Sequence, residues 1–259
     1  MLKNVTIGTD AEVFMKYGDT VCSVIGLIGG SKKEPRDIGN KCFMQEDNIL
    51  AEFNIPPITL KSEFVKYINY CKDWLEVNVP ELEMHFSSSE IVEDFILYDS
   101  KANEFGCEPD CVVDLFPDRD DNTPDEHEAI NVKRMSNLLR TSGFHIHFGY
   151  DNPNRETNRE IVKLFEKYVT LPLMDKDLDI HNRRSMYGQS GSYREKPYGV
   201  ECRSLGGYFI KDNEHIEMVW DCIHDVVSKY NEGERISKEE FAEIKNKVNK
   251  TVINKKVKQ

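Results

Sequence analysis

Four short stretches of this chain set acids, imidazoles or a guanidinium against apolar residues at a period of two: Asp10/Glu12, Glu46/Glu52, His145/His147 and Glu201/Arg203. In a β-strand, residues i and i+2 share one face and the residues between them take the other. Ile7, Thr9, Ala11 and Val13 then oppose Asp10 and Glu12, while Ala51, Phe53 and Ile55 oppose Glu52 and Asn54. Phe144, Ile146 and Phe148 oppose His145 and His147, and Val200, Cys202 and Ser204 oppose Glu201 and Arg203. One wet strand face is ordinary in an antiparallel sheet. Four that show carboxylates, imidazoles and an arginine, rather than Thr, Lys and Ser, predict the floor of a metal and nucleotide site.

Helical spacing fills the intervals. Phe64, Tyr67, Ile68, Cys71, Trp74 and Leu75 predict a helix within residues 59–79, closed by Pro80. Ile130, Met135, Leu138 and Leu139 predict a second over residues 126–140, after which Gly143 turns the chain into the histidine strand. Asn154 is a cap for a third helix carrying Ile161, Leu164, Phe165 and Tyr168 and stopped by Pro172. A fourth over residues 213–230 has Ile216, Val219, Trp220, Ile223 and Val227 in register, and Ser237 with Glu240 forms a capping-box pattern before Phe241 and Ile244. The irregular alternation predicts an α+β domain, with helices on one face of a largely antiparallel sheet.

The 259 residues, 39% of them hydrophobic, can bury a large core and read as one catalytic domain over 1–230, followed by a C-terminal helix and lysine-rich tail over 231–259. No run of eighteen apolar residues occurs, and the N-terminus turns polar too early for a signal peptide, so a cytoplasmic protein without a membrane partner is expected. Seven cysteines, irregularly spaced and without a CxxC pair, are expected as reduced thiols, Cys107 and Cys111 included. The net charge of −12 argues against a nucleic-acid surface. Its imbalance is local: residues 108–128 hold nine acids against Arg119, and residues 245–259 hold six lysines and no acid. Both read first as solvated segments.

Asp10 and Glu12, about 6.5–7 Å apart on one strand face, can reach one divalent ion or two neighbouring ones. Glu52 is expected beside them, with Glu46 near the rim. The His145/His147 spacing also suits zinc or iron, as in a metallohydrolase or a cupin, but the glutamate a cupin needs just beyond the pair is replaced by Tyr150, Asp151 and Asn152. One or two imidazoles among carboxylates suit a hard ion holding phosphate. Glu201 then offers a metal ligand and Arg203 a planar partner for phosphate oxygens. Arg183, Arg184, Arg194 and Lys196 flank a Gly/Ser-rich loop that could cover phosphates.

These pieces are familiar together. GTDAEVF, AEFNIPP, GCEPD, SGFHIHFG and SYREKPYGVECRSLGG, spread from residue 8 to residue 207, resemble the phage-associated COOH.NH2 ligase-type 2, or amidoligase-like, family. That family is of the glutamine synthetase and glutamate–cysteine ligase fold. Asp10 departs from the family's commoner first glutamate. The resemblance implies a curved sheet with a concave active-site face and an ATP-dependent ligation of a small-molecule or peptide carboxylate to an amine through an acyl phosphate. It makes Glu12, Glu52 and Glu201 ligands of Mg²⁺ or Mn²⁺, with Asp10 and Glu46 as further candidates, and His145 a ligand or phosphate contact. Arg203 and Arg194 would offset phosphoryl charge, with Glu201 in the catalytic set and His147, Arg184 and Lys196 as nucleotide contacts. Cys107 and Asp110 would lie beside the pocket. A phosphotransferase on the same kind of sheet, and a degenerate nucleotide- or partner-binding protein, are the alternatives.

Overall fold

The computed structural model describes residues 1–103, 111–113, 138–177, 179–185 and 187–255. Most of the acidic stretch, Cys107, Asp110 and most of the helix expected over 126–140 lie outside these residues.

Strand β1 (Thr6–Tyr17) is the axis of the fold. It is followed by β2 (Thr20–Cys22), β3 (Arg36–Gly39), β4 (Cys42–Asp47), β5 (Leu50–Asn54), helix α1 (Lys61–Asn78), β6 (Glu83–His85) and β7 (Ser89–Ile91). After β8 (Cys111–Val112) come β9 (Leu139–Thr141), β10 (Phe144–Gly149), α2 (Arg155–Phe165), α3 (Leu171–Leu173) and α4 (Ile180–Arg184). The chain closes with β11 (Ser192–Lys196), β12 (Gly199–Cys202), α5 (Asn213–Asn231) and α6 (Lys238–Lys255). Ten strands form one sheet in the order β3-β4-β5-β1-β10-β12-β11-β8, with β2 and β6 paired to the far half of β1, and all its pairings are antiparallel.

The apolar parity of each strand packs as read from the sequence. Ala11, Val13, Phe53, Phe144, Ile146, Phe148, Val200 and Cys202 are buried in one cluster with Phe64 and Ile68 of α1, Ile161 and Phe165 of α2, and Val219 and Trp220 of α5. Phe144 stacks on Phe64 at 6.1 Å. The helices therefore cover one sheet face. On the other, Phe14 continues the parity of Asp10 and Glu12 into a second apolar cluster with Val21, Ile49, Leu50, Val92 and Ile96.

Helix termini follow their capping chemistry. The Asn154 side chain accepts the Thr157 N–H at 2.9 Å, and Ser237 Oγ accepts the Glu240 N–H at 3.1 Å. The second half of the capping box is replaced, because the Glu240 carboxylate pairs with Lys167 at 2.7 Å. Two expectations change. Residues 139 and 140, the end of the expected second helix, lie instead in β9, which pairs with β7. The third helix does not run evenly to its proline: a π-helical turn over Glu166–Thr170 separates α2 from α3 and turns Glu166 fully inward. Phe241, Ile244 and Val248 of α6 join the main cluster.

Phe144→Ala should cost about 3–5 kcal/mol, since it removes a fully buried ring at the sheet–helix contact. Urea unfolding checks this as a lower midpoint with an unchanged slope.

Candidate functional site

Register turns four separate strand patterns into one surface. Glu12 lies across from Glu52, which lies across from Gln45. Asp10 lies across from Asn54 on one side and His145 on the other. His147 lies across from Glu201, and Glu201 across from Arg194. Paired residues point to the same face, so three parallel rows of polar side chains cross the sheet. Arg203 lies one residue beyond β12, and its N–H continues the ladder by donating to the Ser192 carbonyl at 3.0 Å.

Gly143 fixes the junction of the first two rows. Its N–H donates to Glu12 Oε2 at 2.6 Å, and its carbonyl accepts the Glu12 N–H at 2.8 Å. A Cβ at this position would lie 2.3 Å from His145 Nε2, so only glycine lets the imidazole and the Glu12 carboxylate share the corner.

The two ends of this face differ in charge. At the β4/β5/β1 end, Glu12, Asp47 and Glu52 are all buried, and one oxygen from each lies within 4.8 Å of the others. Lys32 reaches Asp47 at 3.0 Å, and Gln45 donates to Glu52 at 2.8 Å. Among the described residues, one lysine and one amide do not balance three carboxylates. Burial, then the Asp47 charge, push Glu12 up to about 7 against the opposing pull of Arg183, Arg203 and the Gly143 N–H. Burial and the charges of Glu12, Asp10 and Asp47 push Glu52 well above the carboxylate range. For Glu12 this corresponds to about 3 kcal/mol held against the ionised form. A hard divalent cation would relieve that repulsion, and an all-oxygen donor set suits Mg²⁺ or Mn²⁺.

At the β10/β12/β11 end, by contrast, the acids are matched. Burial would raise Asp10, but the charge and hydrogen bond of His147, the Asn54 amide and Lys196 together lower it to about 2. Glu201 pairs with Arg203 and, at 2.7 Å, with Lys196. Burial, then the charges of Arg203 and Arg183, hold His145 well below its usual range and hence neutral, with Nδ1 3.6 Å from Glu201. Asp10, His145 and Glu201 also satisfy the distance criterion for an ion, but cations already stand among them. His147 bridges Asp10 at 3.2 Å and the Tyr198 hydroxyl at 2.8 Å.

The face thus brings together Asp10, Glu12, Glu52, His145, His147, Arg194, Lys196, Glu201 and Arg203. Glu46 does not join. A two-residue turn at Asn48 and Ile49 pairs residue 45 with residue 52, so parity inverts between β4 and β5. Glu46 takes the opposite face and accepts the N–H groups of Gly26 and Gly29 at 2.8 and 3.0 Å. Asp47 takes the place expected of it, a residue that the inverted parity of a tight turn could have revealed. Arg184 does not join either. It is buried with Glu166, Arg183 and Asp177 as its nearest charges, and burial lowers it to about 10. The neighbouring Arg183, fully buried, is the one whose charge reaches Glu12 and His145. Tyr187, absent from the sequence reading, meets the His145 ring edge to face with the ring centres 6.0 Å apart.

One comparison with known proteins bears on this face. Residues 138–257 match the phage phiEco32-like COOH.NH2 ligase-type 2 family. No curated protein matches the chain. The matched segment carries His145, His147, Arg183, Arg194, Lys196, Glu201 and Arg203, and extends beyond the residue-207 limit of the motifs read from the sequence. The carboxylate end of the face, on β1, β4 and β5, lies outside it and is joined to it by the β1–β10 ladder. The match covers somewhat less than half of the chain, and by its description the matched family is one of carboxylate–amine ligases. Among the described residues, no helix is long and apolar enough to cross a membrane.

The raised Glu12 and Glu52 set the sign of a pH dependence. An acid that holds its proton more tightly folded than unfolded makes stability fall as pH rises from the unfolded value, 4.5 for Glu12, through about 7. The metal-free chain should lose thermal stability over that window. Mg²⁺ should restore more of it at pH 8 than at pH 5, because binding must displace protons at the lower pH. Melting curves across pH, with and without Mg²⁺, check both signs.

Proposed function

We propose that this chain is an ATP-dependent carbon–nitrogen ligase, which activates a carboxylate as an acyl phosphate and joins it to an amine. The observation that carries the reading is the division of one sheet face into an unbalanced carboxylate end and a cation-rich end, with the latter inside the ligase-family match. Such a face suits a polyphosphate with its divalent ion.

Glu12, Asp47 and Glu52 would hold Mg²⁺ or Mn²⁺, with Asp10 and Glu201 at the border between the two ends. Held there, a divalent ion would supply charge neutralisation for phosphate. Arg203, with Arg194 and Lys196, would face the transferring phosphoryl group, where catalysis is mostly positioning and charge stabilisation. Glu201 keeps Arg203 and Lys196 aligned by pairing with both. His145, neutral, can ligate or donate without adding charge, and His147 can meet the nucleotide from the rim. No side-chain nucleophile is required. Cys202 lies on the core face, where burial first, then the charges of Glu166 and Glu201, raise its thiol far above the reactive range.

The reaction is tested by incubating the protein with ATP, Mg²⁺ and pooled amino acids, peptides and polyamines, followed by mass spectrometry. The expected result is a new amide, with ADP and phosphate released in amine-dependent amounts. A phosphorylated product that persists when amine is present would identify a phosphotransferase instead. Arg203→Lys should keep ATP binding yet lose about 10²–10³ in turnover, roughly 3–4 kcal/mol of barrier, because an ammonium cannot reproduce the planar two-point contact. Calorimetry and initial rates on the same sample separate the two effects.

A further inference from the structure

We infer that Tyr187 is the positioning residue for Arg203, held over it by Arg183 and Gly188. The inference rests on the ligase reading for what Arg203 does. Arg203 stands one residue beyond β12, where the ladder bond from its N–H to the Ser192 carbonyl holds its backbone but not its guanidinium. Four contacts add to the grip. The Arg203 guanidinium carbon lies 5.0 Å from the centre of the Tyr187 ring, and that of Arg183 lies 5.1 Å from the same ring. Arg183 then donates to the backbone carbonyls of Arg203 at 2.9 Å and Ser204 at 3.4 Å, so it holds the main chain of the residue whose head group the ring holds.

The loop is shaped to this purpose. The Tyr187 N–H donates to the Arg183 carbonyl at 2.7 Å, which folds the ring back over α4. Gly188 follows with φ +63°, and a Cβ there would lie 1.8 Å from Arg183 Nη1. Its backbone therefore rests directly on the guanidinium, which no L side chain at that position would permit. The ring edge toward His145 ties the same tyrosine to the middle row.

An aromatic face offers what a carboxylate does not. Glu201 aligns Arg203 but also neutralises it, whereas a ring attracts the cation through its quadrupole without adding an opposing net charge. Two arginines on one ring make a rigid cationic corner.

Tyr187 is only half-buried, so its substitution spares the core. Y187L and Y187F are compared in the full chain, with melting curves verifying that both fold. The first readout is the Arg203 Nε–Hε resonance, assigned through R203K, which the ring current of Tyr187 should displace. Y187L should abolish that displacement and Y187F should restore it. The second readout is amide formation, where Y187L should lower kcat roughly 10²-fold with little change in KM for ATP. Y187F should recover most of that loss. An Arg203 resonance unmoved in Y187L, a wild-type kcat in Y187L, or a Y187F as impaired as Y187L would each overturn the inference. If wild-type protein forms no amide at all, the ligase reading fails, and the resonance alone decides whether Tyr187 positions Arg203.

Discussion

The ladder between β1 and its two neighbours is the constraint on which the site depends. β1 binds β5 along one edge and β10 along the other, so Asp10 and Glu12 are placed by backbone hydrogen bonds opposite Asn54, Glu52 and His145. A slip of one residue on either edge would turn every charged group into the helix-covered core and every Phe of that strand into the cleft. The fold is protected against that error by its burial. Phe53, Phe144 and Phe148 are fully enclosed, and their burial in one cluster with α1, α2 and α5 selects the register that gathers the acids.

Gathering them has a cost that marks the site. Buried carboxylates are destabilising unless paired, and the two ends of the face meet this differently. Arg203, Lys196, His147 and Asn54 answer Glu201 and Asp10. Glu12 and Glu52 are left with raised proton affinities and with Asp47 as a third acid. Repulsion of this kind, among three acids that share one lysine among the described residues, directs a divalent cation to one end and the negative charge it brings to the other. The turn that presents Asp47 is braced for that purpose by Arg140, which donates to Asn48 Oδ1 at 3.1 Å and to the Ala102 carbonyl at 2.8 Å.

Much of this was legible from residues alone, because period-two alternation is a property of the strand itself. The parities of residues 7–13, 51–55, 144–148 and 200–204 needed no knowledge of their partners. What escaped depended on geometry between elements. Glu46 and Glu52 share parity in number but not in space, since the tight turn between them inverts the count, and Asp47 was hidden by the same inversion. Arg183 and Arg184 are adjacent on a short helix, and only packing decides which one faces the cleft. Tyr187 carries no sequence signal beyond a glycine after it. The π-helical turn at Glu166 is likewise invisible to a 3.6-residue count. Beyond residue 207, no motif announced the family, although its match continues to residue 257.

The central claim is that the unbalanced carboxylates form a divalent-cation site. Its most direct test is a crystal grown with MnCl₂ and measured at the manganese absorption edge. The account predicts an anomalous peak bonded to carboxylate oxygens of Glu12, Asp47 and Glu52. Well-ordered side chains at these three residues with no anomalous peak among them, or manganese bound only elsewhere, would contradict it.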